Sequence, residues 1–349
     1  MKDTDEHARH MLADKLKFLE SKILKELTTN CCLHPSILQE YGELGKSHCE
    51  KDLHYHLSFL RNAIEFGDTT SFQHYVQWTG NVLKSRNIAH ETIEVFFNQL
   101  ATVLATHLSE PEKKMVRPFF RKPDPEFLPS NNHSSSTSTS PLVIHQEVFL
   151  QALLVGDRHA AKTVALEVLA NGFSLLDLYI EVFQQSLYTI GHLWEVNRIS
   201  VAQEHVATAI TQYIMAQIFQ SGKSVAVSLK KGIITGVEGE FHQVGARMVA
   251  DILEAHGWDI QFLGSNLPQK SILQMVQEYR PALVGISVTM FVNLAPVKDL
   301  IGEIRRCASD HGTPRVLVGG SAFRLRPTVY REIGADGFAS DLRTLLTSL

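Results

Sequence analysis

The sequence has 349 residues, of which 44% are hydrophobic, and its formal net charge is −4. This length predicts two or three packed domains, and the slightly acidic balance argues against a dominant nucleic-acid surface. No apolar run reaches membrane-spanning length, and the polar start MKDTDEHARH is unlike a signal peptide. We therefore expect a cytoplasmic protein with no membrane or nucleic-acid partner.

Residues 1–120 are predicted to form an all-helical domain, an N-terminal helical bundle. Apolar side chains recur at helical spacing, as in Leu53, Leu57, Leu60 and Ile64. The pattern indicates one buried face on a long helix.

The same domain mixes histidines with aromatic residues, among them His56, His74, Tyr75 and Trp78. On a helix, His74 and Trp78 lie one turn apart and share a face, with Tyr75 beside Trp78. Helix bundles often hold flat cofactors, so this is a candidate binding face. The alternative is an ordinary helical dimerisation domain.

Residues 121–141 are predicted to be a flexible linker, because prolines and a Ser/Thr run leave no apolar face to bury. Residues 142–222 are then predicted to form a second, four-helix module. Gly156-Asp157 precedes an Ile-Glu-Val-Phe segment there, just as Gly67-Asp68 does in the first domain, which suggests a duplicated helical unit.

The end of the second module carries the segment LWEVNRISVAQEH. Ser200 followed by Gln203 is a capping-box pattern, which predicts a helix from near Val201. Trp194 then ends the preceding helix, and the pair Glu204-His205 lies in the first turn of the new one. Without a ligand, the tryptophan would be a core residue and the glutamate a partner of the helix dipole.

Residues 223–349 are predicted to form a doubly wound parallel sheet of Rossmann-like type. The strand-like runs GIITGV, WDIQFL, ALVGISV and VLVGG alternate with helical segments. Ligands bind at the carboxyl ends of such strands. The predicted ligand loops are therefore 238–245, 264–268, 287–292 and 319–323.

The first of these loops reads Glu-Phe-His-Gln-Val-Gly, from Glu240 to Gly245. One ring nitrogen of His242 can coordinate a metal while the other donates to the nearby carboxylate of Glu240. The alternative is a surface turn with a histidine that has no ligand.

This loop, with Ser287-Val288-Thr289 and Gly319-Gly320 downstream, resembles the cobalamin-binding domain of methionine synthases, mutases and cobalamin light sensors. The resemblance implies that His242 is the lower axial ligand of cobalt and that Glu240, in place of the usual aspartate, is its partner. It also implies a cofactor-binding role for the rest of the motif and for the residues at the nucleotide tail: Phe241, Gln243, Val244, Gly245, Ser287, Thr289, Gly319 and Gly320.

The segment LWEVNRISVAQEH resembles the helical cap of adenosylcobalamin photoreceptors of the CarH type. This resemblance implies that Trp194 covers the adenosyl group and that Glu204 hydrogen-bonds to it. It further implies that His205 becomes an upper ligand of cobalt after light breaks the cobalt–carbon bond.

The order of the three domains resembles the photocobilins, which bind adenosylcobalamin and the linear tetrapyrrole biliverdin close together and change quaternary state in light. The resemblance implies a biliverdin site in the first domain. There, His74, Tyr75 and Trp78 would supply the aromatic face, and Arg86 or His56 would serve the rim.

These resemblances predict a light sensor that is not an enzyme. Because the chain ends soon after the last sheet element, we expect its output to come from a light-dependent homo-oligomer or a separate effector protein. A different class, the corrinoid methyl carrier of a methyltransferase system, also pairs a helical cap with this sheet. A cobalamin-responsive transcription regulator would need a basic DNA-reading helix, and the helices before the linker do not concentrate Lys and Arg enough for that.

Overall fold

A computed structural model of the protein describes residues 2–32, 35–88, 90–121, 140–220, 230–307 and 312–349. The chain divides into two compact units, Met1–Ser130 and Asn131–Leu349. Residues 122–139 of the predicted linker lie outside the described residues. The second unit contains both the predicted four-helix module and the predicted sheet. Among the described residues, no helix is long and apolar enough to cross a membrane.

The first unit is helical, as predicted. Its α-helices are α1 (Lys2–Leu27), α2 (Pro35–Glu65), α3 (Thr69–Ser85), α4 (His90–His107) and α5 (Glu110–Val116), with a π-helical turn at Thr28–Cys32 and a 3-10 turn at Arg117–Phe120. The predicted apolar stripe of α2 is buried, and α2 packs against α1, α3 and α4. The spacing of the leucines therefore identified the core face of this helix.

The two Gly-Asp pairs form the same turn in both units. Gly67 and Gly156 have positive φ angles of 60° and 74°. Asp68 and Asp157 each donate a backbone hydrogen bond to the carbonyl five residues earlier and cap the next helix with the side chain. Glycine ends one helix because it tolerates this backbone, and aspartate starts the next.

The second unit begins with the four-helix module, called here the cap. It contains α6 (Val143–Val155), α7 (Arg158–Ala170), a third helix made of α8 (Leu175–Asp177), a π-helical stretch (Leu178–Gln184) and α9 (Gln185–Glu195), and then α10 (Val201–Gln220). The predicted capping box is present, since Ser200 N donates to Gln203 Oε1 and Gln203 N donates to Ser200 Oγ. The helix starts at Val201, as predicted.

The rest of the second unit is a parallel α/β sheet. Its elements are β1 (Lys231–Val237), α11 (Val244–Ala255), β2 (Asp259–Leu267), α12 (Gln269–Tyr279), β3 (Leu283–Ser287), a 3-10 turn (Phe291–Asn293), α13 (Leu294–Cys307), β4 (Arg315–Gly319), a 3-10 turn (Ser321–Phe323), α14 (Val329–Glu332), β5 (Gly337–Ala339) and α15 (Leu342–Ser348). The strand order is β2-β1-β3-β4-β5, with every neighbouring pair parallel. Strands β1 to β4 were predicted, whereas the three-residue β5 was not.

This strand order places the topological switch point between β1 and β3. From β1, the chain runs outward to β2 and then returns to β3 on the other side of β1. The loops that follow β1 and β3 therefore diverge and leave a crevice, where doubly wound sheets bind ligands.

Helix α11 joins the cap to the sheet. Met248 and Ile252 pack into the apolar core of the cap, together with Leu342 of α15. Ala250 and Leu253 pack against the sheet. Helix α11 therefore contributes to both hydrophobic clusters and connects the cap to the sheet.

Candidate functional site

The loop after β1 holds a buried glutamate against an exposed histidine. Glu240 has no exposed surface, whereas 56% of the His242 side chain is exposed. His242 Nδ1 lies 2.6 Å from Glu240 Oε1, and the backbone N of His242 donates to the same oxygen at 3.1 Å. The expected partnership of these two residues is therefore present in the structure.

The second oxygen of Glu240 reaches across the switch point to the loop after β3. Its Oε2 accepts hydrogen bonds from Thr289 N at 2.8 Å, Met290 N at 3.1 Å and Asn293 Nδ2 at 3.0 Å. One carboxylate thus ties together the two loops that border the crevice. Glutamate suits this position because both of its oxygens have partners on different loops.

These hydrogen bonds affect the pKa of Glu240 and determine which ring nitrogen of His242 carries the hydrogen. Burial alone raises the pKa of the Glu240 carboxyl, but the hydrogen bonds to it outweigh burial and hold the pKa below its ordinary value. A charged carboxylate accepts a hydrogen bond from the Nδ1–H group of His242, which leaves the lone pair of Nε2 available. An exposed imidazole held in this way fits a metal whose other ligands come from a cofactor.

Side chains at the carboxyl end of β2 support the His242 loop from the other side. Asn266 Oδ1 accepts from Gly239 N at 2.9 Å, and Ser265 Oγ donates to the carbonyl of His242 at 3.5 Å. Phe241 is exposed beside the histidine, and Val244 is partly buried against the core of the cap. The predicted ligand loop 238–245 therefore contacts residues 264–268. These residues were predicted as a loop, but β2 continues to Leu267.

The loops after β3 and β4 also meet. Ser287 pairs with Gly319 in the sheet, and Ser321 Oγ donates to the carbonyl of Thr289 at 3.0 Å. Gly320 has φ 111°, and a Cβ there would lie 2.3 Å from the carbonyl oxygen of Val288. Backbone packing therefore already requires glycine at position 320.

The cap contributes the predicted tryptophan and the Glu-His pair. Trp194 is partly buried and packs on the apolar core of the cap. Glu204 Oε1 accepts from Thr208 Oγ1 at 2.9 Å, and its Oε2 lies 2.6 Å from Nδ1 of His205. The His205 side chain is 73% exposed. As in the β1 loop, a glutamate occupies one ring nitrogen and leaves the other available.

The cap residues and the β1 loop belong to neighbouring parts of one unit. Helix α10, which carries Glu204 and His205 near its start, contacts α11. Trp194 and Val244 pack against the same apolar cluster. The second unit thus brings the two sequence motifs into one region.

The first unit places two predicted site residues in its core. His56 is 4% exposed, and its Nδ1 lies 2.8 Å from the hydroxyl of Tyr75, which is also buried and stacks on Phe59. Burial lowers the pKa of His56 to about 4, so its imidazole is neutral near pH 7. These positions correct the prediction, since His56 does not offer a charged rim donor and Tyr75 does not offer an open ring face.

The remaining candidates of the first unit stay near its surface. Trp78 is partly buried and its ring stacks on Tyr75 with a centroid distance of 6.3 Å. His74 is partly exposed on the same helix. Arg86 donates to the carbonyl of Val82 at 2.9 Å at the end of α3.

The sequence did not reveal Asn293 and Asn266 as parts of the site. Asn293 lies 53 residues from Glu240 and Asn266 lies 27 residues from Gly239. No local pattern distinguishes either asparagine from a loop residue. The signal was indirect: Asn266 lies at the carboxyl end of β2 and Asn293 follows β3, and the carboxyl ends of these strands were predicted to form the site.

Family models match both parts of the second unit. A B12 binding domain matches residues 230–345, and a second B12 binding domain matches residues 146–218. The first match covers the sheet, and the second covers nearly all of the cap.

Several curated proteins are similar to this chain. Trimethylamine corrinoid protein 1 of Methanosarcina mazei is 25% identical, over 52% of this chain and 87% of that protein. The HTH-type transcriptional repressor CarH of Myxococcus xanthus is 26% identical, over 56% of this chain and 66% of the repressor. A solved structure, the monomethylamine corrinoid protein of Methanosarcina barkeri, is 21% identical with a TM-score of 0.49, covering 59% of this chain and 98% of that one.

Proposed function

We propose that this cobalamin-binding protein is a light sensor that holds adenosylcobalamin between the sheet and the cap. In this proposal, His242 is the lower ligand of cobalt and Trp194 with Glu204 forms the pocket for the adenosyl group. The cofactor supplies a cobalt–carbon bond that visible light breaks. The protein itself is proposed to act as a sensor and not as an enzyme.

The observation that carries this proposal is the presence of two similar Glu-His contacts. His242 and His205 each have Nδ1 at 2.6 Å from a glutamate oxygen, one on the sheet and one on the cap. Each ring keeps Nε2 available and stays exposed. A second oriented imidazole is useful to a protein in which an upper ligand departs and another group replaces it.

A matched pair of cap variants tests the proposal. We expect His205→Ala to bind adenosylcobalamin in the dark nearly as well as the original protein, and to lack the spectrum of two-histidine coordination after illumination. His192→Ala removes another cap histidine, on α9, and should behave like the original protein. Identical illuminated spectra for His205→Ala and the original protein would contradict the role of His205.

The tryptophan provides a second test, of the upper group. Trp194→Ala removes a flat side chain from the proposed adenosyl pocket, so affinity for adenosylcobalamin should fall more than affinity for hydroxocobalamin. Titration followed by absorption spectroscopy measures both. Equal losses would mean that Trp194 only fills the core.

A corrinoid methyl carrier is the second candidate function. It is favoured by relatives that are named as trimethylamine and dimethylamine corrinoid proteins. A methyl group is small, however, and leaves little for a tryptophan and a Glu-His pair to contact. If the protein bound methylcobalamin as tightly as adenosylcobalamin and gave no lasting spectral change in light, this candidate would replace the sensor.

The proposed output is a change of assembly or the binding of a separate effector. If His205 moves towards the cofactor after illumination, α10 must follow, and a helix shift of this kind can alter an interface. We expect light scattering to give different masses for the dark and illuminated holoprotein. If the dark and illuminated holoproteins have the same mass, the proposed light-dependent change of homo-oligomer would be wrong.

A biliverdin site in the first unit is a further part of the proposal. With His56 and Tyr75 in the core, the candidates that remain partly exposed are His74, Trp78 and Arg86. We expect added biliverdin to give a defined red-absorbing band, and deletion of residues 1–121 to abolish it while cobalamin binding persists. Full biliverdin binding after the deletion would favour a dimerisation role for the first unit.

A further inference from the structure

A polar chain with a buried centre joins the cap to α11. Tyr179 Oη donates to Asp251 Oδ2 at 2.7 Å, and neither residue has exposed surface. Arg247 Nε lies 2.6 Å from Asp251 Oδ1 in an ion pair, and 35% of the arginine side chain is exposed. Tyr179 belongs to the π-helical stretch of the cap, and the other two residues belong to α11. We call these three residues the buried latch.

Holding two helices together through the buried latch carries a cost in free energy, because a carboxylate is removed from water. Burial raises the pKa of Asp251, and its contacts with Tyr179 and Arg247 offset this only in part. Apolar side chains of similar size often stabilise an interface as well as a buried ion pair does. Met248 and Ile252 already supply such apolar contacts here. What the latch adds is orientation, because a hydrogen bond weakens steeply when its partners rotate.

The cap helix that carries Tyr179 also carries Trp194. It is continuous from 175 to 195, since Leu178 and Gln185 at its junctions keep right-handed helical angles. Trp194 therefore lies roughly 20 Å from Tyr179 along the helix axis. A small rotation of this helix about Tyr179 would therefore displace Trp194 by a larger distance.

The helix that carries Asp251 leads back to the histidine loop. Helix α11 starts at Val244, two residues after His242, and Asp251 lies roughly 10 Å further along its axis. The latch therefore joins two helices whose other ends carry the two sides of the proposed cofactor site.

We propose that the buried latch is a positioning contact that fixes the angle between the cap and α11, and so determines how well the protein retains a cobalamin with a large upper group. This inference rests on the proposed placement of the cofactor between His242 and Trp194, and not on any response to light. The ion pair of Arg343 with Asp177 also ties the sheet domain to this cap helix, at 2.8 Å. That pair is partly exposed and therefore contributes little orientation.

The test compares two tyrosines of the same cap helix. Tyr179→Phe removes only the hydroxyl of the latch, and Tyr188→Phe removes an exposed hydroxyl that bonds to Gln184. In the dark, we expect adenosylcobalamin to dissociate about tenfold faster from the full-length Tyr179→Phe holoprotein, with a smaller change for hydroxocobalamin. Tyr188→Phe should match the original protein for both cofactors.

A merely structural role would give a different result. In that case Tyr179→Phe would lower the melting temperature and leave the ratio of the two dissociation rates unchanged, which would overturn the inference. Asp251→Asn keeps an acceptor for Tyr179 and removes the charge that faces Arg247. Asp251→Asn should change the ratio of the two dissociation rates in the same direction as Tyr179→Phe. It therefore tests the inference if Tyr179→Phe does not fold.

His242→Ala separates this inference from the proposed function. If His242→Ala releases cobalamin but neither latch variant changes the ratio, only the latch is wrong. If His242→Ala retains cobalamin with an unchanged spectrum, the proposed placement of the cofactor is wrong, and the inference loses its basis.

Discussion

The two units use histidine in opposite ways. In the first unit, His56 is buried against Tyr75, Phe96 and Phe97, and its bond to Tyr75 completes a polar pair inside an aromatic core. In the second unit, His242 stands half exposed at the edge of the sheet. Both rings have Nδ1 engaged, so the hydrogen bond alone does not distinguish them.

The difference lies in which partner is buried. Around His56 both members of the pair are inside, so burial keeps the ring neutral and inaccessible. Around His242 only the carboxylate of Glu240 is inside, and the ring it orients remains open to a ligand. A buried acceptor beneath an exposed imidazole is therefore a better sign of a ligand site than a histidine among aromatic residues.

The largest expected effect is the loss of His242. His242→Ala should shift bound cobalamin towards a base-off absorption spectrum and weaken its retention by more than the roughly 100-fold that loss of an outer partner can cost. His256→Ala removes a histidine that bonds to the Ile252 carbonyl at the end of α11, and should leave the spectrum unchanged. An unchanged spectrum for His242→Ala would mean that His242 is not a cobalt ligand, and the proposed difference between the two units would be wrong.

The pH dependence of stability tests the buried histidine. Burial lowers the pKa of His56 from 6.5 to about 4, so between these values the unfolded chain binds a proton that the folded chain does not. The free energy of unfolding of the first unit should therefore fall as pH falls through this window, by about 3 kcal/mol.

A non-titrating variant checks that assignment. His56→Gln keeps a bond to Tyr75, and the difference in unfolding free energy between pH 6.5 and 4 should shrink by that amount. His54→Gln, at an exposed neighbour, should keep the full pH dependence. The unfolding free energy of both variants is measured in urea, with hydrogen exchange of α2 and α3 as the probe. If the unfolding free energy depends equally on pH in the two variants, the pKa of His56 is not lowered by burial.

The next effect concerns the buried acceptor. Glu240→Gln keeps the size of the side chain and loses the charge that orients His242, so cobalamin retention should weaken by roughly 10- to 100-fold. Glu238→Gln changes an exposed glutamate of the same loop and provides the control. Equilibrium titration with hydroxocobalamin measures both. If the two variants bind alike, the buried carboxylate serves only the fold.

The smallest effect concerns the start of α10. Ser200→Ala removes the capping box and should destabilise the first turn of that helix by about 1 kcal/mol. Hydrogen exchange of peptides that contain Glu204 and His205 should become faster. Ser174→Ala removes the equivalent capping box of α8, so it should leave exchange in α10 unchanged. Equal exchange in α10 for both variants would show that the first turn is held by other contacts.

Much of the second unit follows from local sequence. Alternating β-branched runs and amphipathic helices predicted β1 to β4, and the Ser200–Gln203 pattern predicted the start of α10. The π-helical stretch and β5 were not predicted. A π-helical stretch depends on how the helix packs, and a strand of three residues, Gly337–Ala339, has too little sequence to show alternation.

The sequence by itself determined the elements and the proximity of Glu240 to His242, because both depend on residues within a few positions of each other. Only the tertiary structure decided that Oε2 of Glu240 binds Asn293 and that His56 lies in a core. Parallel pairing brings together loops that are about fifty residues apart, and burial depends on which helices pack over a face. No local pattern records either fact, since each is a property of contacts between distant segments.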